Sequence, residues 1–274
     1  MVVGTRRSKL GGKGRRRTWL KYLAGLLLVA PCYATGTLPP QETSRAISEV
    51  LSNPFAVQLP ALLPIAKALL MLAMLSPLLL RGDHARKALY TYYAAILVVV
   101  GFLQNMAHTT DYGFVWVIGN TAIQLLVAAG FARALLREHD GWALELHPER
   151  LWLIAPMALA LVEPYTATSD GTLVFAFNAG VLVNDTGVTY CMITPVVLGA
   201  ILIWGMEVGA GASAVSFASY VGLLFGILNL LTWFVFMPTN WWMGVLHLPL
   251  VIVSVVGLAC RRRAKESEAL ASIA

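Results

Sequence analysis

Charged residues are scarce in this sequence. Asp, Glu, Lys and Arg together make up 12% of its 274 residues, whereas soluble domains carry about 25%. So few charges leave too little polar surface to coat a water-soluble globule. The composition therefore disfavours an ordinary soluble enzyme or binding module and indicates lipid as the surrounding solvent.

Residues and motifs that hold metals or cofactors are also missing. The 3 cysteines have no CxxC spacing and the 5 histidines are scattered, so neither residue type forms a zinc framework. The sequence contains no Walker-type nucleotide loop, no dinucleotide glycine fingerprint and no HExxH motif. We therefore predict no metal site and no cofactor.

Long apolar runs are what the sequence has instead, with 58% hydrophobic residues. A hydrocarbon core of about 30 Å needs about 20 apolar residues per helix. The stretch 172–183 is too short to span and is predicted to be a re-entrant or interfacial segment. The fold class predicted is an all-α polytopic membrane protein of about eight transmembrane helices, located at 19–36, 56–80, 88–108, 113–132, 151–165 (the shortest), 188–206, 214–236 and 240–260.

The basic residues indicate the orientation. Although the pI is ≈ 9.4, Lys and Arg lie in short clusters beside apolar runs, which is typical of topology signals and not of a nucleic-acid surface. Eight spans place all four clusters on one side, at 1–18, 81–87, 133–150 and 261–274. We therefore predict cytoplasmic termini, a plasma (inner) membrane location, no nucleic-acid partner, and a basic tail that contacts anionic lipid of the bilayer.

A weak internal repeat divides the chain. Residues 19–35 can be laid on residues 152–168 without a gap, and residues 50–53 match residues 181–184 at nearly the same spacing. An even number of helices per unit makes the two repeats parallel. The alternative is chance similarity between Leu-rich helices. The predicted organisation is a basic cytoplasmic tail at 1–18, a four-helix repeat at 19–133, a cytoplasmic loop at 134–150, a second repeat at 151–261 and a tail at 262–274.

Two ionisable residues lie within the apolar runs. Lys67 and Glu163 are each about twelve residues along their predicted spans, which places both near mid-membrane. Ionisable groups in hydrocarbon cost several kcal/mol unless they are paired, so each is a candidate functional residue. The depths allow a Lys67–Glu163 pair that joins the two repeats. The pair is either a structural ion pair or a substrate or proton site, and the remaining alternative is no contact.

A second set of polar residues falls toward the predicted outer face. Asn184 and Asp185 open the sixth span, where Asn suits an N-cap and Asp suits the helix dipole. Together these residues are predicted to line a substrate-binding cavity open to the exterior. Ordinary interhelical hydrogen bonding, worth about 0.6 kcal/mol on average, is the alternative. Besides Lys67 and Glu163, the set comprises Gln104, Asn105, His108, Asn120, Asn184, Asp185, Asn229 and His247.

Three function classes fit these features. A small-solute transporter or permease is favoured, because a parallel repeat, buried ionisable groups and Pro-broken helices are usual devices for a site near mid-membrane. A membrane-embedded enzyme acting on a lipid or isoprenoid is the alternative, with an acid or base drawn from Glu163, Asp185, His108 and His247. The second alternative is a non-catalytic subunit or assembly factor of a membrane complex, with partner proteins or further copies of the chain. The sequence does not decide whether the protein is an enzyme.

Overall fold

The computed structural model describes residues 10–137, 144–167, 173–177, 179–209 and 211–271. Most of these residues are helical. The helices are α1 (Leu10–Leu28), α2 (Thr43–Ser52), α3 (Leu62–Leu79), α4 (Asp83–Leu103), α5 (Ile118–Arg137), α6 (Ile154–Val162), α7 (Tyr190–Ile203), α8 (Gly211–Leu231) and α9 (Trp241–Ala271). The strands are β1 (Tyr33–Ala34), β2 (Met106–Thr109), β3 (Gly113–Trp116), β4 (Tyr165–Ala167) and β5 (Leu173–Phe175).

Five helical segments are long and apolar enough to cross a membrane. They are α3, α4, α5, Gly211–Phe236 (α8 with the π-helical turn that follows it) and Pro238–Arg263, which holds most of α9. The sequence-based prediction of a helical membrane protein is supported to this extent. Trp19–Leu28 of α1 and the whole of α7 are apolar but shorter. Helix α6 has 9 residues, about 14 Å of helix, which is well below the thickness of a bilayer core.

Two predicted spans end differently in the structure. Residues 106–108 and 113–116 were expected to be helical, but they lie in the strands of an antiparallel hairpin, with Met106 opposite Trp116 and Thr109 opposite Gly113. The turn explains the change. The Thr109 hydroxyl donates to the carbonyl oxygen of Gly113 and accepts from the backbone N–H of Tyr112, and Gly113 has a φ of 69°, which favours glycine.

A small sheet and helix α2 cap one end of the helix bundle. Strand β1 pairs with β3, so the sheet order is β1-β3-β2. Helix α2 packs on this sheet through Ala46 and Val50, which are buried with Ala107 and Val115. Because β1 follows α1 and the β2–β3 hairpin joins α4 to α5, both connections lie at the same end. We call this end, marked by the sheet, the sheet end.

The opposite end holds the connections that carry basic residues. Gly82, Leu144 and Gly205 line one small cavity, so the loops after α3, α5 and α7 meet there. Arg150 donates from Nη1 to the carbonyl oxygen of Leu202 at 2.7 Å. We call this end the basic end. The helices therefore alternate in direction between the two ends, as a polytopic membrane protein requires.

Helix α7 lies at the centre of the bundle. Of its 14 residues, all except Cys191 are buried, and it packs against α3, α4, α6, α8 and α9. A helix that is apolar all round is expected to be surrounded by other elements. Its central position explains why so short a helix stays ordered.

Helices α8 and α9 pack through small residues. A Cβ at Gly222 would lie 2.4 Å from Ser254 Oγ, and one at Gly257 would lie 2.2 Å from Ser219 Oγ. Both distances are too short for real contacts, so these glycines allow the two backbones to approach. Apolar side chains gain little by moving from the lipid tails into a helix contact. Helices in membranes therefore commonly pack closely through small residues.

The segment 172–183 is described except for residues 172 and 178. Strand β5 pairs antiparallel with β4, and Ala179–Leu182 forms a 3-10 helix. Phe175 and Phe177 are 65% and 75% exposed. Aromatic side chains exposed at the end of a membrane bundle suit the lipid–water interface.

Candidate functional site

Lys67 lies in the first third of helix α3, the part nearest the sheet end. Its helix begins at Leu62, because Pro60 and the turns before it keep the preceding residues out of the helix. Lys67 is thus five residues from the helix start, about 8 Å along the axis. The sequence-based estimate of its depth counted from residue 56, whereas the helix begins at Leu62; the depth of Lys67 in the membrane stays a prediction. The side chain is nevertheless only 5% exposed.

The ammonium of Lys67 binds two neutral oxygens of a distant segment. Nζ donates to Asn184 Oδ1 at 2.7 Å and to the backbone carbonyl of Val181. Both acceptors belong to the connection between β5 and α7. Lys67 therefore fastens the start of α3 to the second half of the chain.

Asn184 connects the lysine to the end of helix α6. Its Nδ2 donates to the carbonyl oxygens of Val162 at 3.0 Å and Glu163 at 3.2 Å. Its Oδ1 accepts from Lys67 and, at 2.6 Å, from the hydroxyl of Thr186. Both ends of the amide are thus used, and they fix its orientation.

Glu163 is buried where helix α6 stops. Its backbone is left-handed, with a φ of 44°, a conformation that costs a non-glycine residue about 1 kcal/mol or more. Pro164 follows directly and prevents the helix from continuing. The carboxyl side chain is 2% exposed, and Thr186 Oγ1 lies 3.3 Å from its Oε2.

A second carboxyl group lies beside these residues. The Tyr165 hydroxyl donates to Asp185 Oδ1 at 3.2 Å, and the Thr189 hydroxyl donates to Asp185 Oδ2 at 3.1 Å. Asp185 begins a 3-10 helix that ends at Val188 and leads into α7. Its carboxylate is thus held by neutral donors.

Glycine brings this 3-10 helix onto α3. A Cβ at Gly187 would lie 2.4 Å from the carbonyl carbon of Ala66 and from the backbone nitrogen of Lys67. Only a residue without a side chain fits such an approach. We call the assembled group the Lys67 cluster, and it comprises Lys67, Glu163, Tyr165, Val181, Asn184, Asp185, Thr186 and Thr189.

Four of the residues predicted from the sequence therefore meet in one place: Lys67, Glu163, Asn184 and Asp185. Lys67 and Glu163 are joined through Asn184. The sequence reasoning did not identify Thr186, Thr189 or the carbonyl of Val181. A backbone carbonyl leaves no signal in a sequence, but the run Asn184–Thr189 is rich in small polar residues between apolar stretches.

Gln104 and Asn105 make hydrogen bonds that hold elements together. Gln104 Oε1 accepts from the backbone N–H of Tyr190 at 3.0 Å, which joins the end of α4 to the start of α7. Asn105 is fully buried, and its Nδ2 donates to the Gly101 carbonyl and to Gln124 Oε1, both at 3.1 Å. These contacts match the alternative of interhelical hydrogen bonding.

His108 and Asn120 lie near the sheet. His108 was expected at the end of a helix, but it is in strand β2 and exposed. Its ring lies 5.5 Å from that of Phe55 and 5.8 Å from that of Phe114. Asn120 is partly buried in the first turn of α5.

Asn229 and His247 bond mainly within their own helices. Asn229 Nδ2 donates to the Phe225 carbonyl at 2.9 Å and lies 3.5 Å from Cys191 Sγ. His247 Nδ1 lies 2.8 Å from the Met243 carbonyl, and the ring is almost completely buried. The structure therefore divides the predicted cavity residues between the Lys67 cluster and separate structural contacts.

Comparisons with known proteins identify no relative. No family model matches the chain, and no curated protein or solved structure matches it significantly. Function must accordingly be argued from the geometry of this chain.

Proposed function

We propose that the protein is a small-solute transporter or permease and that its solute binds at the Lys67 cluster. One observation carries the proposal: a buried ammonium and two carboxyl groups, contributed by both halves of the chain, meet beside the ends of membrane-spanning helices. Ionisable groups within membrane segments are expensive and typically mark substrate or ion pathways. Transporter sites commonly lie where two repeats meet.

The proposal includes eight spans in two parallel four-helix repeats, with cytoplasmic termini and the sheet end outside. The packing of the two halves supports this. Helix α1 packs on α5 as α6 packs on α9, and α4 packs on α5 as α8 packs on α9. The connections that carry the basic clusters lie at one end, which is the pattern expected of cytoplasmic loops.

The cluster has features of a site that can change its partners. Lys67 has a long flexible stem, and its acceptors are on a connection between elements and not within a membrane-spanning helix. Helix α6 ends at the cluster. The carbonyl groups of Val162 and Glu163 therefore accept hydrogen bonds from Asn184 and not from the backbone of a further helical turn. Interrupted helices with free backbone groups are a usual basis for solute sites in transporters.

Uptake into proteoliposomes tests the proposal. The purified protein would be reconstituted and offered labelled amines, amino acids, carboxylates, sugars and alkali-metal salts. We expect saturable uptake of one class. Lys67→Met and Glu163→Gln should each lower that uptake at least about tenfold, because each removes an ionisable group from the site.

The matched control is Lys87→Met. Lys87 is half-exposed and pairs with Asp83 at 2.6 Å, far from the sheet end, so this change should leave uptake within about twofold of the parent. Monodisperse protein that takes up no class above empty liposomes would contradict the proposal. Uptake that survives Lys67→Met and Glu163→Gln unchanged would also contradict it.

A further inference from the structure

The acceptors of Lys67 resemble the ligands of a bound cation. Its ammonium binds a backbone carbonyl and an amide oxygen, and neither acceptor is a carboxylate. Neutral carbonyl oxygens are the groups that replace the hydration shell of monovalent cations in proteins. The lysine side chain therefore fills a position in which a free cation could be held.

The carboxyl groups of the cluster outnumber its ammonium group. Its described side chains include one ammonium, Lys67, and two carboxyl groups, Glu163 and Asp185, both of which attract that ammonium. The other groups within hydrogen-bond distance of the carboxyl groups are the neutral hydroxyls of Tyr165, Thr186 and Thr189. An uncompensated buried charge is costly. The cluster is therefore neutral when one carboxyl group keeps its proton, and a second cation can take the place of that proton.

The ligand set favours a monovalent cation. Divalent ions such as Ca²⁺ take six to eight oxygen ligands, with several carboxylates among them. Within the part of the chain that the structure describes, no three His, Cys, Asp or Glu side chains are grouped to hold a metal ion. A monovalent cation or an ammonium head needs only the neutral oxygens and one or two nearby charges.

We infer that the oxygens of Val181 and Asn184 form a monovalent-cation site, and that the transported solute is cationic and displaces the Lys67 ammonium from it. The solute is then a primary ammonium compound or an alkali-metal ion, which share this chemistry. The displaced ammonium would pair with Glu163 or Asp185, and release of the proton held by the second carboxyl group would leave two positive charges facing two negative ones. The inference rests on the proposed function where it names the class of solute.

Chemical rescue tests the inference. Lys67→Ala and Lys67→Met would be purified in lipid nanodiscs, and their melting temperatures measured in methylammonium, sodium, potassium or choline chloride at equal ionic strength. Choline has no N–H group, and its methyl groups keep its charge away from the two oxygens. We expect at least one of the three small cations to raise the melting temperature by about 3 °C or more over choline.

The pattern of rescue identifies the solute. A rise in methylammonium alone assigns an ammonium compound, and a rise in sodium or potassium assigns an alkali-metal ion. Lys87→Ala is the matched control and should melt at the same temperature in all four salts. Equal melting temperatures of both Lys67 variants in all four salts would overturn the inference.

A variant that does not fold still gives a decisive result. A Lys67 variant that does not fold would be extracted and purified in each of the four salts. The yield of monodisperse protein would then be measured. Recovery in a small cation but not in choline supports the site, and no recovery in any salt overturns it. Rescue of the Lys67 variants by a small cation, without uptake of any solute by the parent protein, would support the cation site and contradict the transporter. Lys67-dependent uptake of an uncharged or anionic solute, without rescue of the variants, would support the transporter and contradict the cation site.

Discussion

The ammonium of Lys67 lies 2.7 Å from the side-chain oxygen of Asn184, a residue 117 positions away in the sequence. This hydrogen bond joins a helix of the first half of the chain to the connection that precedes the central helix α7. The same amide donates to the last carbonyl groups of α6. Asn184 is therefore the residue through which three segments meet.

Asn184→Leu should destabilise the protein by about 2–3 kcal/mol. The change removes an acceptor of a buried ammonium and two donor bonds to buried carbonyl groups, and unpaired buried polar groups are costly. Unfolding in mixed micelles gives the measurement. Asn53, which occupies the matching position in the proposed first repeat, is exposed, so Asn53→Leu should change stability by less than about 0.5 kcal/mol. Equal effects of the two changes would contradict this description of the cluster.

Gly187→Ala should cost about 2 kcal/mol or more. Its Cβ would overlap the backbone of α3 at Ala66 and Lys67, and overpacking of this kind forces backbone shifts. Gly25→Ala is the control, because a Cβ at that helical position meets nothing within 4 Å and alanine is the better helix former. Thermal unfolding of both variants would show whether the 3-10 helix approaches the backbone of α3 this closely. If Gly187→Ala is as stable as Gly25→Ala, the two elements are not in such close contact.

Gly222→Val tests the packing of α8 against α9. The valine side chain would overlap Ser254, and we expect a loss of about 2–3 kcal/mol. Gly130→Ala provides the comparison, since its Cβ would lie 3.7 Å from the nearest atom, at ordinary contact distance. If Gly222→Val unfolds no more readily than Gly130→Ala, the two helices do not approach as closely as described.

The hairpin at the sheet end has a testable pH dependence. Tyr112 donates from its hydroxyl to Glu42 Oε2 at 2.6 Å, and this hydrogen bond raises the pKa of Tyr112 from 10.0 to about 12. The folded state holds the phenolic proton more tightly, so the contribution to stability is complete below pH 10 and is lost as the pH rises through 12.

Glu42→Gln should return the pKa of Tyr112 toward 10, because the neutral amide no longer opposes ionisation of the phenol. The measurement is the titration of phenolate absorbance, taken as the difference between each protein and its Tyr112→Phe counterpart. A pKa near 10 in the parent protein would show that the Tyr112–Glu42 hydrogen bond does not form.

The helical membrane character could be predicted from apolar runs, and the errors have physical causes. Residues 113–117 were assigned to a helix because the apolar run continues into α5. The turn residues Thr109 to Tyr112 before them, together with Gly113 itself, carried the contrary signal of a hairpin. Helix α2 was not predicted because it is amphipathic and short, and its apolar residues are buried only against the sheet.

The candidate site could be predicted in part. Lys67 and Glu163 were identified because ionisable residues in apolar runs are unusual, and Asn184 and Asp185 because they precede an apolar helix. The position of Lys67 along its helix was overestimated, since the run that begins at residue 56 starts with turns and not with a helix. The role of Val181 depends on a backbone carbonyl, and only the folded chain places it beside Lys67.

Access to the cluster from both sides of the membrane tests the transporter proposal most directly. Thr186→Cys would be introduced into a chain whose three native cysteines are replaced by serine. A membrane-impermeant thiol reagent would then be applied to proteoliposomes of known orientation, from each side in turn. Ser219→Cys, fully buried in α8, is the control that should react from neither side. A transporter predicts that Thr186→Cys reacts from both sides, faster than the control, and labelling from one side only or from neither would contradict the account.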